Sequence, residues 1–136
     1  LNANGIKCGS VENIQDYIWL KAVINSAINP IATINKVTNG DLRKKKLIRA
    51  VEEICAESTA IAHHVGINLP LDPWKEIVTI LDKTASNKCS MLQDVENKQE
   101  TEIEAINGEF VRIASDNNLD ATHNSLAVSK VKQITN

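Results

Sequence analysis

An all-α fold is predicted by this sequence on three observations. Apolar residues recur at three- and four-residue spacings through most of the chain. No pair of alternating apolar and polar runs is joined by a hairpin turn. Between the periodic stretches lies turn chemistry, as at Thr38-Asn39-Gly40-Asp41, Gly66 and Asp72-Pro73.

The elements follow in order. Residues 1–11 are polar and contain glycine, and are expected to be a linker. From Asn13 to about Val37 apolar residues cover nearly every face, which predicts a long, buried central helix. Pro30 lies inside it and should kink or split it near Asn29. Asp41 is the expected N-cap of a second helix running to about Val65, with Leu47, Ile48, Val51, Ile54, Cys55, Ile61, Ala62 and Val65 at helical spacing. Gly66 suits the position just past its end. Asp72 and Pro73 read as cap and first residue of a third helix, to about Lys83. A fourth is expected over roughly 99–117, closed by Asn118. A last one should span about 124–133, with Leu126, Val131 and Ile134 inward.

Composition bounds the function. The chain has 136 residues, one ordinary domain, with 15 Lys+Arg against 17 Asp+Glu. This near-neutral balance argues against a nucleic-acid binder, and 3% aromatics leave little for base stacking. No run of 18 apolar residues predicts a membrane span. The three cysteines, Cys8, Cys55 and Cys89, are far apart and odd in number, which suits a reducing cytoplasm better than a disulfide framework. No metal site is expected: His63 and His64 are adjacent, so on a helix they point ~100° apart. The five glycines form neither a GxGxxG nor a phosphate loop, so these residues alone should not cradle a dinucleotide. The start, Leu1-Asn2-Ala3-Asn4-Gly5, has neither a basic block nor an initiator Met, and is expected to be the middle of a longer polypeptide cut at a domain boundary.

One polar pattern stands out. Lys21, Asn25 and Asn29 fall at i, i+4 and i+8 of the apolar first helix, one above another on a single face. Buried without partners they would each cost roughly 1–3 kcal/mol or more. The stripe therefore lines a small-molecule site or faces solvent; the pattern alone admits both. A lysine there could give charge or a proton to a developing oxyanion, and amides could grip carboxylate and hydroxyl oxygens. Elsewhere Ser90 reads as a helix cap, and Glu102 as a carboxylate at a helix N-terminus. Arg43 to Lys46, with Arg49, reads as a solvated face with Glu52, Glu53 and Glu57 as partners. Trp19 and Trp74 read as packing residues.

These residues carry a resemblance. The segment from Lys21 to Pro30 resembles the K-x-x-x-N-x-x-x-N-P segment of the ketopantoate reductase family, and Asn39-Gly40 its N-G turn. Cys89-Ser90-Met91-Leu92-Gln93-Asp94 resembles that family's S-S-M-x-Q-D signature, and Thr101 to Gly108 its T-E-I-D-x-I/L-N-G signature. The chain is thus similar to the family's C-terminal helical domain, of the 6-phosphogluconate dehydrogenase C-terminal-like type. The resemblance implies an N-terminal Rossmann domain holding NADPH ahead of residues 12–136, joined through the linker. It implies a 2-keto acid substrate, with Lys21 catalytic and Asn25, Asn29, Asn39 and Ser90 binding substrate. Glu102 is implied near the substrate and the cofactor ribose. A homodimer is compatible with this reading; nucleic-acid and membrane partners are not expected. The sequence departs from the family at Cys89, at Asn97-Lys98-Gln99 and at Thr122-His123-Asn124. These departures leave room for a reductase of another 2-keto acid. A stand-alone helical interaction module is the competing class.

Overall fold

The computed structural model describes residues 11–135, with side chains from Ile14 onward. The expected linker lies outside the described residues, except that Val11 already belongs to the first helix. Six α-helices follow in order: α1 (Val11–Asn35), α2 (Lys45–His64), α3 (Pro73–Lys83), α4 (Ser90–Glu96), α5 (Glu109–Asp116) and α6 (Thr122–Thr135). A 3-10 turn (Asn39–Arg43) precedes α2 and a π turn (Glu104–Gly108) runs into α5. Among the described residues there is no strand.

α1 is the axis of the bundle. It packs along α2 and touches α3, α4, α6 and both irregular turns. Val23, Ala27 and Ala32 on it are wholly buried, and the two alanines let neighbouring helices approach closely. Trp19 meets Phe110 edge to face at 6.0 Å between ring centres, the packing role expected of it. The first turns of α1 differ from the expectation of burial on nearly every face: Ile14, Tyr17 and Ile18 are exposed.

Pro30 does not split α1, which runs unbroken through it. A proline has no N–H, so the carbonyl four residues back, that of Ser26, loses its helical donor. The Asn107 side chain supplies one instead, its Nδ2 donating to the Ser26 carbonyl at 2.9 Å.

Helix ends follow local chemistry. α1 closes with Lys36 in the left-handed region (φ 56°) and Val37 N–H donating to the Ala32 carbonyl at 3.1 Å. Gly66, at φ 88°, ends α2 with the paired bonds of a Schellman motif, Gly66 N–H to His63 and Ile67 N–H to Ala62, both 3.0 Å. Asp72 caps α3 through the Trp74 N–H at 3.0 Å. Asn118, at φ 57°, closes α5.

Four expectations need correction. Asp41 is not the cap of α2. It sits inside the 3-10 turn, accepting from the Thr38 hydroxyl at 3.2 Å and pairing with Lys44 at 3.3 Å, so the helix begins only at Lys45. The cap of α4 is Cys89 rather than Ser90; its Sγ accepts from Leu92 N–H at 3.4 Å. The fourth predicted helix starts later than residue 99, and α4 stands apart from it. On α6, Val131 is buried as expected, whereas Leu126 and Ile134 are exposed. No helix of the described residues is long and apolar enough to cross a membrane.

Candidate functional site

The face of α1 carrying Lys21, Asn25 and Asn29 grades inward. Lys21 is exposed, Asn25 half-buried and Asn29 only 7% exposed. Among the described residues none of the three side chains has a hydrogen-bond or ion-pair partner in the protein. Asn29 is buried as a residue, yet its amide is not among the enclosed polar atoms, so water or a ligand can reach it. The charged head of Lys21 lies at the open end of the face.

Two segments close around the buried end. Cys89 lies against α1, its Sγ 3.8 Å from the Asn29 carbonyl and 3.6 Å from the Thr33 hydroxyl. This contact sets the start of α4 beside Asn29, with Ser90 exposed in its first turn. The 3-10 turn is pinned to the segment that leads into α4: Asn39 N–H donates to the Asn87 carbonyl and Gly40 N–H to the Ala85 carbonyl, each at 2.9 Å. Asn29, Asn39 and Ser90 thus belong to one connected corner of the bundle.

Asn39 is more deeply held than a simple ligand contact requires. It is 7% exposed, and its Nδ2 donates to the Thr84 hydroxyl at 2.9 Å. Its Oδ1 is buried with no partner, a spare acceptor. Glu102 is exposed just before the π turn, its backbone carbonyl taking the Ile106 N–H at 2.9 Å. A carboxylate there suits the positive end of the following helical segment. Ala105 and Ile106 line, with Ile18, Trp19 and Ala22, an apolar hollow of about 140 Å³ beside the open end of the α1 face. Three further hollows of about 310 to 680 Å³ are lined by other residues, and none of these four includes Lys21, Asn25 or Asn29.

A second polar cluster escaped sequence reasoning. Ser26, Ser58, Asn107 and Asn124 are all 0% exposed. Asn107 Nδ2 donates to the Asn124 Oδ1 at 2.9 Å as well as to Ser26. Asn124 Nδ2 donates to Ser58 Oγ at 3.1 Å, and the Ser26 and Ser58 hydroxyls lie 2.8 Å apart. Glu57, expected to pair with the basic face of α2, instead accepts from the His123 and Asn124 N–H groups at 3.0 and 2.8 Å. That leaves the carboxylate on the N-terminus of α6, where the helix dipole favours it. Small polar residues give no periodic signal; the Asn107-Gly108 pair of the fourth signature and Asn124 of the Thr122-His123-Asn124 departure marked two of its members singly, without joining them. Among the described residues no three His, Cys, Asp or Glu side chains gather to hold a metal ion.

Fold and face together define, over the described residues, an all-helical domain built round one long helix that carries the Lys21–Asn25–Asn29 stripe. The family model for the ketopantoate reductase PanE/ApbA C terminal matches residues 13–135. The chain belongs to that family. It is 36% identical over 132 residues to a 2-dehydropantoate 2-reductase from Pyrococcus horikoshii, covering 96% of this chain and 44% of that protein. A PanE/ApbA family ketopantoate reductase from Ralstonia eutropha superposes with a TM-score of 0.85 at 24% identity, over 90% of this chain and 41% of that one. D-mandelate dehydrogenase, solved with NADH and anilino(oxo)acetate, superposes with a TM-score of 0.80 at 25% identity, over 90% and 41%. The chain therefore spans less than half the length of the proteins it matches.

Proposed function

We infer that this chain is the substrate-binding and catalytic helical half of an NADPH-dependent 2-dehydropantoate 2-reductase, which reduces ketopantoate to (R)-pantoate for pantothenate and coenzyme A synthesis. The observation that carries the reading is the unpartnered stripe Lys21–Asn25–Asn29, in a chain that matches the ketopantoate reductase C-terminal family almost end to end. A polar face that grades from exposed Lys21 to buried Asn29 suits one side of a cleft between two domains, a common place for a ligand. An N-terminal Rossmann domain is the expected other side.

The described helices offer no Gly-rich loop between a strand and a helix, so the nucleotide pyrophosphate has no cradle among them. What they offer is Glu102, an exposed carboxylate able to accept from ribose hydroxyls. When bound, the nicotinamide cofactor supplies two electrons and one hydrogen to the carbonyl carbon. The residues of this chain do the rest. Asn25 and Asn29 donate from their amides to the substrate carboxylate and hydroxyl oxygens. The exposed Ser90 hydroxyl donates to the carboxylate or accepts from a hydroxyl, and Asn39, with its Oδ1 enclosed, shapes the same corner through its bond to Thr84. Lys21 stabilises negative charge on the carbonyl oxygen and gives it a proton, completing the alcohol.

The test is NADPH oxidation by the complete polypeptide with ketopantoate. Saturable turnover is expected, with kcat falling by at least about a hundredfold in Lys21→Ala while the fold is retained. An unchanged kcat in that variant refutes the role of Lys21. A reductase of a different 2-keto acid is the second reading, favoured by the likeness to D-mandelate dehydrogenase. A folded, NADPH-binding enzyme that ignores ketopantoate but reduces an aryl 2-keto acid would establish it.

A further inference from the structure

We propose that Asn107 is a positioning residue for substrate binding, holding the turn of α1 that carries Asn25 and Asn29. This rests on the functional reading just given and adds to it a residue that touches neither substrate nor cofactor.

The turn is weakened at Pro30. Its missing N–H leaves the Ser26 carbonyl without the bond that would otherwise fix that turn of the helix. Ser26 follows Asn25 and precedes Asn29 by three residues, so its peptide plane helps set where both amides point. Asn107 restores the bond from outside, Nδ2 to carbonyl at 2.9 Å. The second Nδ2 hydrogen goes to Asn124 Oδ1, also at 2.9 Å, so both donors are committed. The Oδ1 is buried with no partner. An unpaired buried acceptor is costly, and here it accompanies the two donor bonds that the amide makes. The backbone is adapted to the same end. Residues 104–108 form a π turn, an uncommon geometry that often marks functional sites, and Asn107 lies within it. Gly108 beside it faces the Glu104 side chain, whose Oε1 lies 2.6 Å from where a Cβ would stand, so a larger residue there would push that carboxylate aside. Glu104 in turn pairs with Lys132 of α6. The π turn is thus held from α6 while Asn107 reaches across to α1.

A purely structural role predicts a different result from a positioning role, and three variants of the complete enzyme separate them. In Asn107→Ala the KM for ketopantoate should rise about tenfold, the scale of one lost hydrogen bond, with a smaller change in kcat. Ser58→Ala removes another member of the same buried cluster without touching the Ser26 carbonyl; it should lower the melting temperature and leave KM near its original value. The double variant Asn107→Ala, Pro30→Ala returns a backbone N–H to position 30, able to reach the Ser26 carbonyl within the helix, and should recover most of the lost KM. An Asn107→Ala enzyme that melts earlier at unchanged KM overturns the proposal. So does a KM rise of the same size in Ser58→Ala, or one that the double variant leaves in place. Turnover of ketopantoate by the unmodified enzyme tests the functional reading separately. If the enzyme prefers another 2-keto acid, KM is read on that substrate and the positioning role stands or falls on its own. An enzyme that reduces no 2-keto acid overturns both.

Discussion

Gly40 has no space for a side chain. A Cβ there would meet the Ala85 Cβ at 2.8 Å and its carbonyl oxygen at 2.9 Å. Backbone cannot yield as a flexible side chain can, so Gly40→Ala should cost about 2 kcal/mol in a urea titration of the complete protein. It should also raise KM, because the 3-10 turn pins the segment leading to Ser90; wild-type stability and KM together would contradict the close contact. Charges act at the same scale. The Arg112 guanidinium holds the Glu109 carboxyl below the usual carboxylate range, Lys44 and Thr38 do so for Asp41, and Thr122 for Asp120. Each of these groups is more acidic folded than unfolded. Their contribution is present above the unfolded carboxylate range and is lost as pH falls through the lower folded values. The melting temperature should hold from neutrality into mild acid, then drop below that range; all three groups are solvent-exposed, so the drop should be shallow. Burial pushes the Cys55 thiol up, which keeps it protonated at neutral pH. Iodoacetamide should label it far more slowly in the folded chain than in urea, and equal rates would mean the site opens readily.

Among elements, α6 owes its start to another helix. Two of its first N–H groups are satisfied by Glu57 of α2, and Asp120 serves the Thr122 N–H at 3.1 Å. Removing the carboxylate in Glu57→Ala should cost about 1–2 kcal/mol and speed amide exchange at His123 and Asn124 more than elsewhere. Uniform exchange across the molecule would argue that α6 is held by packing alone. The elements also differ in how plainly the sequence announced them. α2 and α3 are strongly amphipathic and have strong stop or start residues in Gly66 and Asp72-Pro73, so they were legible. α4 is a single short stretch of seven residues capped by a cysteine sulfur, which no cap preference anticipates. The π turn leaves no mark in composition, because its five-residue bonds use the same side chains as an α-helix.

Across the whole molecule, stability comes from the apolar packing round α1 and little from surface charge. The ion pairs Arg43–Asp82, Lys88–Glu96 and Arg112–Glu109 are all substantially exposed at both ends. Such pairs contribute roughly 0–1 kcal/mol each and are screened by salt. Raising sodium chloride to about 1 M should therefore move the unfolding free energy by no more than about 1–2 kcal/mol, and a larger fall would implicate the charges. The site reads the same way at this scale. The stripe Lys21–Asn25–Asn29 was visible because three polar residues interrupt an apolar helix at four-residue steps, which keep to one face. The depth of Asn39 and the Ser26–Asn107–Asn124–Ser58 cluster were not, because each depends on residues tens of positions apart meeting in three dimensions.

The bond between Asn107 and the Ser26 carbonyl joins positions 81 residues apart. The first helix is therefore not a self-sufficient unit: in the fold one of its own carbonyls takes its donor from the last third of the chain. A graft of residues 11–35 into a foreign bundle would carry that open valence with it. During synthesis that carbonyl is left to water until the π turn arrives.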